Sequence, residues 1–188
     1  VRRQRQMCIR DRVGIPQECP VKACGRYYPE RVDDVAWEND LTAFRAYGPA
    51  LQETGERAFG YDIWTKYNTT EPVVEARYEG ELNPDMKAKI AELGKTDPKA
   101  AQELYRSVSY HVDHGNGLDC YKVGPTLGGG TTALMAGDTI IYPYCYATQE
   151  ILDNGPLRFT VKLVYNPLVV KGDSTICLLY TSDAADEL

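Results

Sequence analysis

One stretch limits the fold more than any other. From Leu157 to Tyr165, Leu157, Phe159, Val161, Leu163 and Tyr165 fall on one face against Arg158, Thr160, Lys162 and Val164. A period of two belongs to a strand that buries one side. Asp153-Asn154-Gly155-Pro156 just before it is turn chemistry, so the strand reads as one arm of an antiparallel hairpin. Its other arm is predicted over Thr139 to Ile151, where Tyr142, Tyr144 and Tyr146 share a face and Pro143 marks an edge or a bulge. Phe59, Tyr61, Ile63, Thr65 and Tyr67 repeat the period and predict a strand over Arg57 to Tyr67. Val35 to Trp37 and Leu41 to Tyr47 flank Glu38-Asn39-Asp40 as a further hairpin, closed by the breaker pair Gly48-Pro49.

The period lengthens only between Asn83 and Ser107. Met86, Ile90 and Leu93 recur at helical spacing, and Gly94 is expected to stop this first helix. Asp97 then offers an N-cap and Pro98 a first helical residue for a second helix carrying Ala101, Leu104, Tyr105 and Val108. The predicted fold class is therefore mainly β, with sandwich-like antiparallel sheets and a helical-hairpin insertion over about 83–107, forming an incomplete domain. The 188 residues include 21 basic and 27 acidic side chains and no apolar run long enough for a membrane helix. That balance argues against a duplex-binding surface, which depends on releasing phosphate counterions.

Both ends are set apart. VRRQRQMCIRDR (1–12) and CLLYTSDAADEL (177–188) lack a periodic apolar face and resemble translated sequencing adapters, so both are expected to lie outside the packed core. The domain is then expected over 13–176, leaving Cys19, Cys24, Cys120 and Cys145. Cys19 and Cys24 are too widely spaced for a redox pair, and a local disulfide is their expected state if the protein is exported. Cys120 and Cys145 are expected to be buried thiols.

Polar chemistry concentrates in two places. Tyr110-His111-Val112-Asp113-His114-Gly115-Asn116-Gly117-Leu118-Asp119-Cys120-Tyr121-Lys122 holds both histidines of the chain. Histidine titrates near neutrality and suits proton transfer. The loop glycines would alternatively let His111, His114 and Asp113 converge on a divalent metal, or leave them to satisfy loop amides. No other cofactor is predicted, because the glycine-rich run 124–132 lacks the spacing of phosphate and dinucleotide loops. In the second cluster, 25–45, Arg26, Arg31 and Arg45 offer forks for a carboxylate, and Trp37 with Tyr27 and Tyr28 offers rings for a sugar, beside Glu38.

These two clusters carry a resemblance. Gly25-Arg26-Tyr27, Glu30-Arg31, Asp33-Asp34-Val35-Ala36-Trp37-Glu38-Asn39-Asp40, Ala43-Phe44-Arg45 and Tyr47-Gly48-Pro49, with Tyr110-His111, Asp113-His114-Gly115 and the run from Gly117 to Gly128, resemble the family called domain of unknown function number 4861. Its members are longer, so the chain is expected to be an N-terminal fragment. The family occurs in glycan-utilisation gene clusters of bacteria that degrade plant and algal polysaccharides. The resemblance implies a periplasmic or extracellular carbohydrate-active protein with an oligosaccharide or polysaccharide substrate.

Taken with the residues, it suggests proton abstraction and elimination on a uronate. Tyr110, His111, Asp113 and His114 would be the catalytic candidates, and Arg26, Arg31, Trp37, Glu38, Arg45, Asp119 and Lys122 would contact substrate. Glycoside hydrolysis through Glu38 with Asp40, or Asp113 with Asp119, is one alternative. A non-catalytic glycan-binding module using the Tyr142, Tyr144 and Tyr146 face is the other. The two polar clusters are expected to meet in one cleft.

Overall fold

The computed structural model describes residues 20–129, 131–170, 174–176 and 179–183. Its strands are β1 (Ala23–Tyr28), β2 (Asp34–Asn39), β3 (Thr42–Ala46), β4 (Tyr61–Thr65), β5 (Leu134–Ala136), β6 (Thr139–Ile141), β7 (Tyr146–Asn154), β8 (Phe159–Tyr165), β9 (Leu168–Val170), β10 (Ser174–Ile176) and β11 (Leu179–Asp183). Strands β1 to β4 form one antiparallel sheet in chain order, and β11, β8 and β7 form a second. The protein is thus mainly β and antiparallel. Short pairs β5–β6 and β9–β10 complete the strands.

The two larger sheets meet through Val35 and Trp37 of β2, Tyr61 of β4, and Phe159, Val161 and Leu163 of β8. Trp37, 1 % exposed, lies parallel to Phe44 at 5.8 Å and to Phe159 at 6.4 Å. Truncating such a ring costs about 3–5 kcal/mol. Trp37 is therefore a core residue and not the sugar contact expected from the sequence.

The other face of the first sheet is also covered. Tyr28, Ala36, Ala43 and Trp64 pack there against Val74 and Tyr78 of a helix and against Tyr110. All six residues of β2 are consequently buried. A strand covered on both sides still obeys the period of two, but the residues on its second face lie inside the protein.

Among the described residues four α-helices accompany the sheets: α1 (Pro49–Glu53), α2 (Val74–Leu82), α3 (Pro84–Thr96) and α4 (Pro98–Val108). The helical insertion thus begins nine residues before the expected 83, with α2 as its third member. The stripe Val74, Tyr78, Leu82 was its signal in the sequence. Gly94 does not end α3, because one glycine inside a helix costs only about 1 kcal/mol. The helix ends before Pro98, where Asp97 takes φ −139° and ψ 87° and its side chain caps α4 through the amides of Lys99 and Ala100.

The expected hairpin forms between β7 and β8, but its turn falls at 155–158 and not at 153–156, because Asp153 and Asn154 still pair with Thr160 and Phe159. Leu157 therefore lies exposed in the turn instead of on the buried face. The first arm of the hairpin is broken, however, since 142–145 leave the strand at Pro143, separating β6 from β7. Tyr142, Tyr144 and Tyr146 therefore do not share a face: Tyr146 is buried with its hydroxyl on the Asp33 carbonyl, while Tyr144 is 55 % exposed. Leu179–Asp183, in the stretch expected to lie outside the fold, pairs with β8 as β11. Residues 1–12 lie outside the described residues. Cys24 and Cys145 are free thiols and Cys120 is free and exposed, contrary to the burial expected of it, while Cys19 lies outside the described residues.

Candidate functional site

The alternation that buries Val35 and Trp37 between the sheets turns Asp34, Ala36 and Glu38 of β2 to the opposite, helical side. Pairing of Ala36 with Arg45, and of Arg45 with Asp62, brings Arg45 and Asp62 onto that same side. Arg45 is 3 % exposed and Asp34 and Asp62 are fully buried, so a charged cluster sits beneath the covering layer. Just before Asp34 the chain turns through two left-handed residues, Val32 at φ 47° and Asp33 at φ 64°. A β-branched residue pays for that conformation, and hydroxyl donors from Tyr27 to the Asp33 carboxylate and from Tyr146 to its carbonyl help hold it.

The covering layer is the segment after α4. It runs beside the free edge of β4, with Thr65 N donating to the Leu118 carbonyl at 3.0 Å and Trp64 bridged to Asp119. Gly117, at φ +97°, makes this approach feasible, because a Cβ there would overlap the Thr65 carbonyl. Asp119 is thereby delivered to the cluster. Arg45 Nη2 donates to Asp62, to Asp119 Oδ2 at 3.2 Å and to the Tyr47 hydroxyl at 3.2 Å, and Nη1 donates to the Tyr110 hydroxyl at 3.4 Å. Trp64 Nε1 completes Asp62 at 3.0 Å. Burial opposes the Arg45 charge, but the surrounding hydroxyls and carboxylates outweigh it and hold the guanidinium protonated.

The carboxylates respond differently. Burial pushes Asp34, 3.9 Å from Arg45 Nη1, up to about 7. Burial and the neighbouring Asp62 push Asp119 up to about 6, against the pull of Arg45 and His111. His111 Nδ1 lies 3.4 Å from Asp119 Oδ2 and 3.3 Å from the Asp119 carbonyl, with half of its side chain exposed. Its ring faces an open cleft of about 660 Å³ that Arg31, Arg45, Tyr47, Glu56, Asp119, Tyr121 and Lys122 also line. The two polar clusters of the sequence do meet.

Within this cleft Arg31 is distinctive. Its Nε donates to the Tyr110 hydroxyl at 3.4 Å, while its terminal nitrogens make no hydrogen bond or ion pair among the described residues. Lys122 likewise has no ion-pair partner among them. Tyr110 is buried between Arg31 and Arg45, with its ring stacked on Trp64 at 4.9 Å, so it aligns the two guanidinium groups.

The remaining expected site residues lie elsewhere. Arg26 is held by Glu30 and Glu75 and lies over the Tyr28 ring at 3.7 Å. Glu38 is buried, paired with Lys66 at 2.9 Å, and accepts the amides of Val73 and Val74 at the start of α2. Asp40 pairs with Lys22 at 3.6 Å, and neither Glu38 nor Asp40 lines this cleft. Asp113 accepts the amides of Gly115 and Gly117 in its own loop, which separates it in role from Asp119. His114 Nε2 is 2.9 Å from the Ser109 carbonyl, and His114 does not line the cleft. The expected convergence of His111, His114 and Asp113 on a metal is therefore not formed, and no group of three such ligands occurs among the described residues. Tyr47, Glu56, Asp34 and Asp62 were not singled out by sequence. For Asp62 the signal was Trp64, two residues on, whose burial implies a buried face for both.

A family model described as a domain of unknown function (DUF4861) matches residues 9–179. "Uncharacterized protein P7" of Formosa agariphila is 29% identical over 159 residues, covering 81% of this chain and 34% of its own length. The chain thus spans about a third of the length of that relative. No solved structure matches the chain.

Proposed function

The chain belongs to the family described as a domain of unknown function (DUF4861), and we propose that its charged cleft takes a uronate of an oligosaccharide and removes the proton beside the sugar carboxylate. The observation that supports this reading is that Arg31, whose terminal nitrogens have no partner among the described residues, and Lys122, with no ion-pair partner among them, line the same cleft as an imidazole backed by a buried carboxylate. A planar guanidinium fork matches a carboxylate and stabilises the enolate that forms when the C5 proton leaves. Asp119 orients His111 through Nδ1, which leaves Nε2 to accept that proton. The C5–H electron pair becomes the C4–C5 double bond, and the C4 oxygen departs with its bonding electrons and takes a proton from solvent. Placement in the periplasm or outside the cell belongs to the same proposal.

One observation favours a second reading, glycoside hydrolysis. Glu56 and Asp119 line the cleft together, and Asp119, raised to about 6, resembles a general acid. The chemical nature of the product separates the two.

The binding half of the proposal is tested by titrating the protein with a uronate-containing disaccharide and with its carboxyl-reduced counterpart. The acid should bind at least about tenfold more tightly, a difference of about 1.4 kcal/mol, and Arg31→Gln should erase that preference. Equal affinity for both ligands would overturn it.

A further inference from the structure

A second cleft, of about 510 Å³, lies where the chain leaves β6, and its walls include Phe59, Tyr142, Tyr144 and Asn166. We infer that this cleft is a distal sugar subsite, which holds another ring of the same oligosaccharide by stacking against Tyr144. This inference rests on the reading of the first cleft as the uronate site.

The aromatic wall is built and not merely exposed. Tyr144 meets Phe59 edge to face at 4.9 Å and Tyr142 meets the same ring at 5.3 Å, so Phe59, 9 % exposed, holds both tyrosines in place. The face of a phenol ring is electron-rich and attracts the weakly positive C–H groups on the apolar face of a pyranose. Outside the lining, the Arg57 guanidinium lies 5.8 Å from the Tyr144 ring and donates Nη1 to the Gln52 carbonyl, which helps fix the ring from behind. Asn166 brings an amide to the cleft. A concave aromatic site of this volume with a few polar groups suits a small ligand, whereas a protein partner would need a much larger surface.

Position links the two clefts. Glu56 lines the first and Phe59 the second, so one short loop separates them. Three residues of chain span at most about 11 Å. Ala58 between them is buried with Tyr47, Leu51 and Val123, which fixes this loop as a shared wall. The proposed oligosaccharide, with its uronate at Arg31, crosses this loop to reach Tyr144.

The test compares a uronate-containing disaccharide with a hexasaccharide of the same composition. Tyr144→Ala should weaken hexasaccharide binding about tenfold and leave disaccharide binding unchanged, while Tyr144→Trp should retain both. Equal losses for the two ligands, no loss for either, or a Tyr144→Ala protein whose thermal unfolding shows a lost fold alongside a failed Tyr144→Trp would overturn the subsite. Arg31→Gln distinguishes the two proposals. If it spares both ligands while Tyr144→Ala still affects only the longer one, the uronate reading fails and the aromatic subsite stands.

Discussion

Replacing Arg45 by Met removes the guanidinium that bridges Asp62 and Asp119 and leaves its volume nearly filled. At an effective dielectric of about 20, unit charges 3.2 Å apart attract by roughly 5 kcal/mol and those 3.9 Å apart by roughly 4 kcal/mol; these are the separations of Arg45 from Asp119 and Asp34. These attractions do not add to the stability directly, because burying the guanidinium itself costs several kcal/mol and the carboxyl groups answer its loss by protonating. The net cost of leaving buried carboxylates without their cation is about 3–5 kcal/mol. For a chain of this size that lowers the melting temperature by roughly 6–20 °C. The cost depends on pH. Asp119 and Asp34, held at about 6 and about 7, are largely neutral at pH 5 and need the cation less. Urea unfolding of both proteins at pH 5 and pH 8 should therefore show the full penalty at pH 8 and about half of it at pH 5. A penalty below about 1 kcal/mol at pH 8, or the same penalty at both pH values, would refute the account of the cluster.

Other perturbations follow from the same contacts. Asp34 binds its proton more tightly folded than unfolded, so its contribution is fully present below the unfolded value near 4 and is lost as pH rises through about 7. The stability of the wild type relative to Asp34→Asn should accordingly fall by about 4 kcal/mol between pH 4 and pH 8, and parallel pH curves from denaturant unfolding would contradict it. Glu38→Ala strands the buried Lys66 ammonium and uncaps α2, and should cost about 3–5 kcal/mol in the same assay. Asp113→Ala removes only turn hydrogen bonds and should cost about 1 kcal/mol, with binding in the cleft unchanged by titration.

Much of the architecture could be read from the chain because local chemistry and tertiary packing agree there. The alternation from Phe159 to Tyr165 and the Gly155-Pro156 turn specify the β7–β8 hairpin, and Asp97-Pro98 specifies the junction of α3 and α4. The candidate site was only half legible. Residue type and local density drew attention to Arg31, His111, Asp119 and Lys122, which do share a cleft. Asp34 and Asp62 were passed over because alternation places polar residues toward water, and here the second face of the sheet is roofed by α2 and the segment after α4. His111 and His114 are equivalent in the sequence. Only the path of the loop past Thr65 turns one toward Asp119 and ties the other to Ser109.

If the imidazole of His111, backed by Asp119, removes a proton from a uronate held at Arg31, the product carries a carbon–carbon double bond conjugated to a carboxylate. Its ultraviolet absorbance can be followed during incubation of the protein with uronate-containing oligosaccharides. Absorbance should grow with the wild type and with His114→Ala, and His111→Ala, shown to be folded by thermal unfolding, should produce none. Cleavage that releases reducing ends without this absorbance, or absorbance that persists in His111→Ala, would contradict proton abstraction by His111.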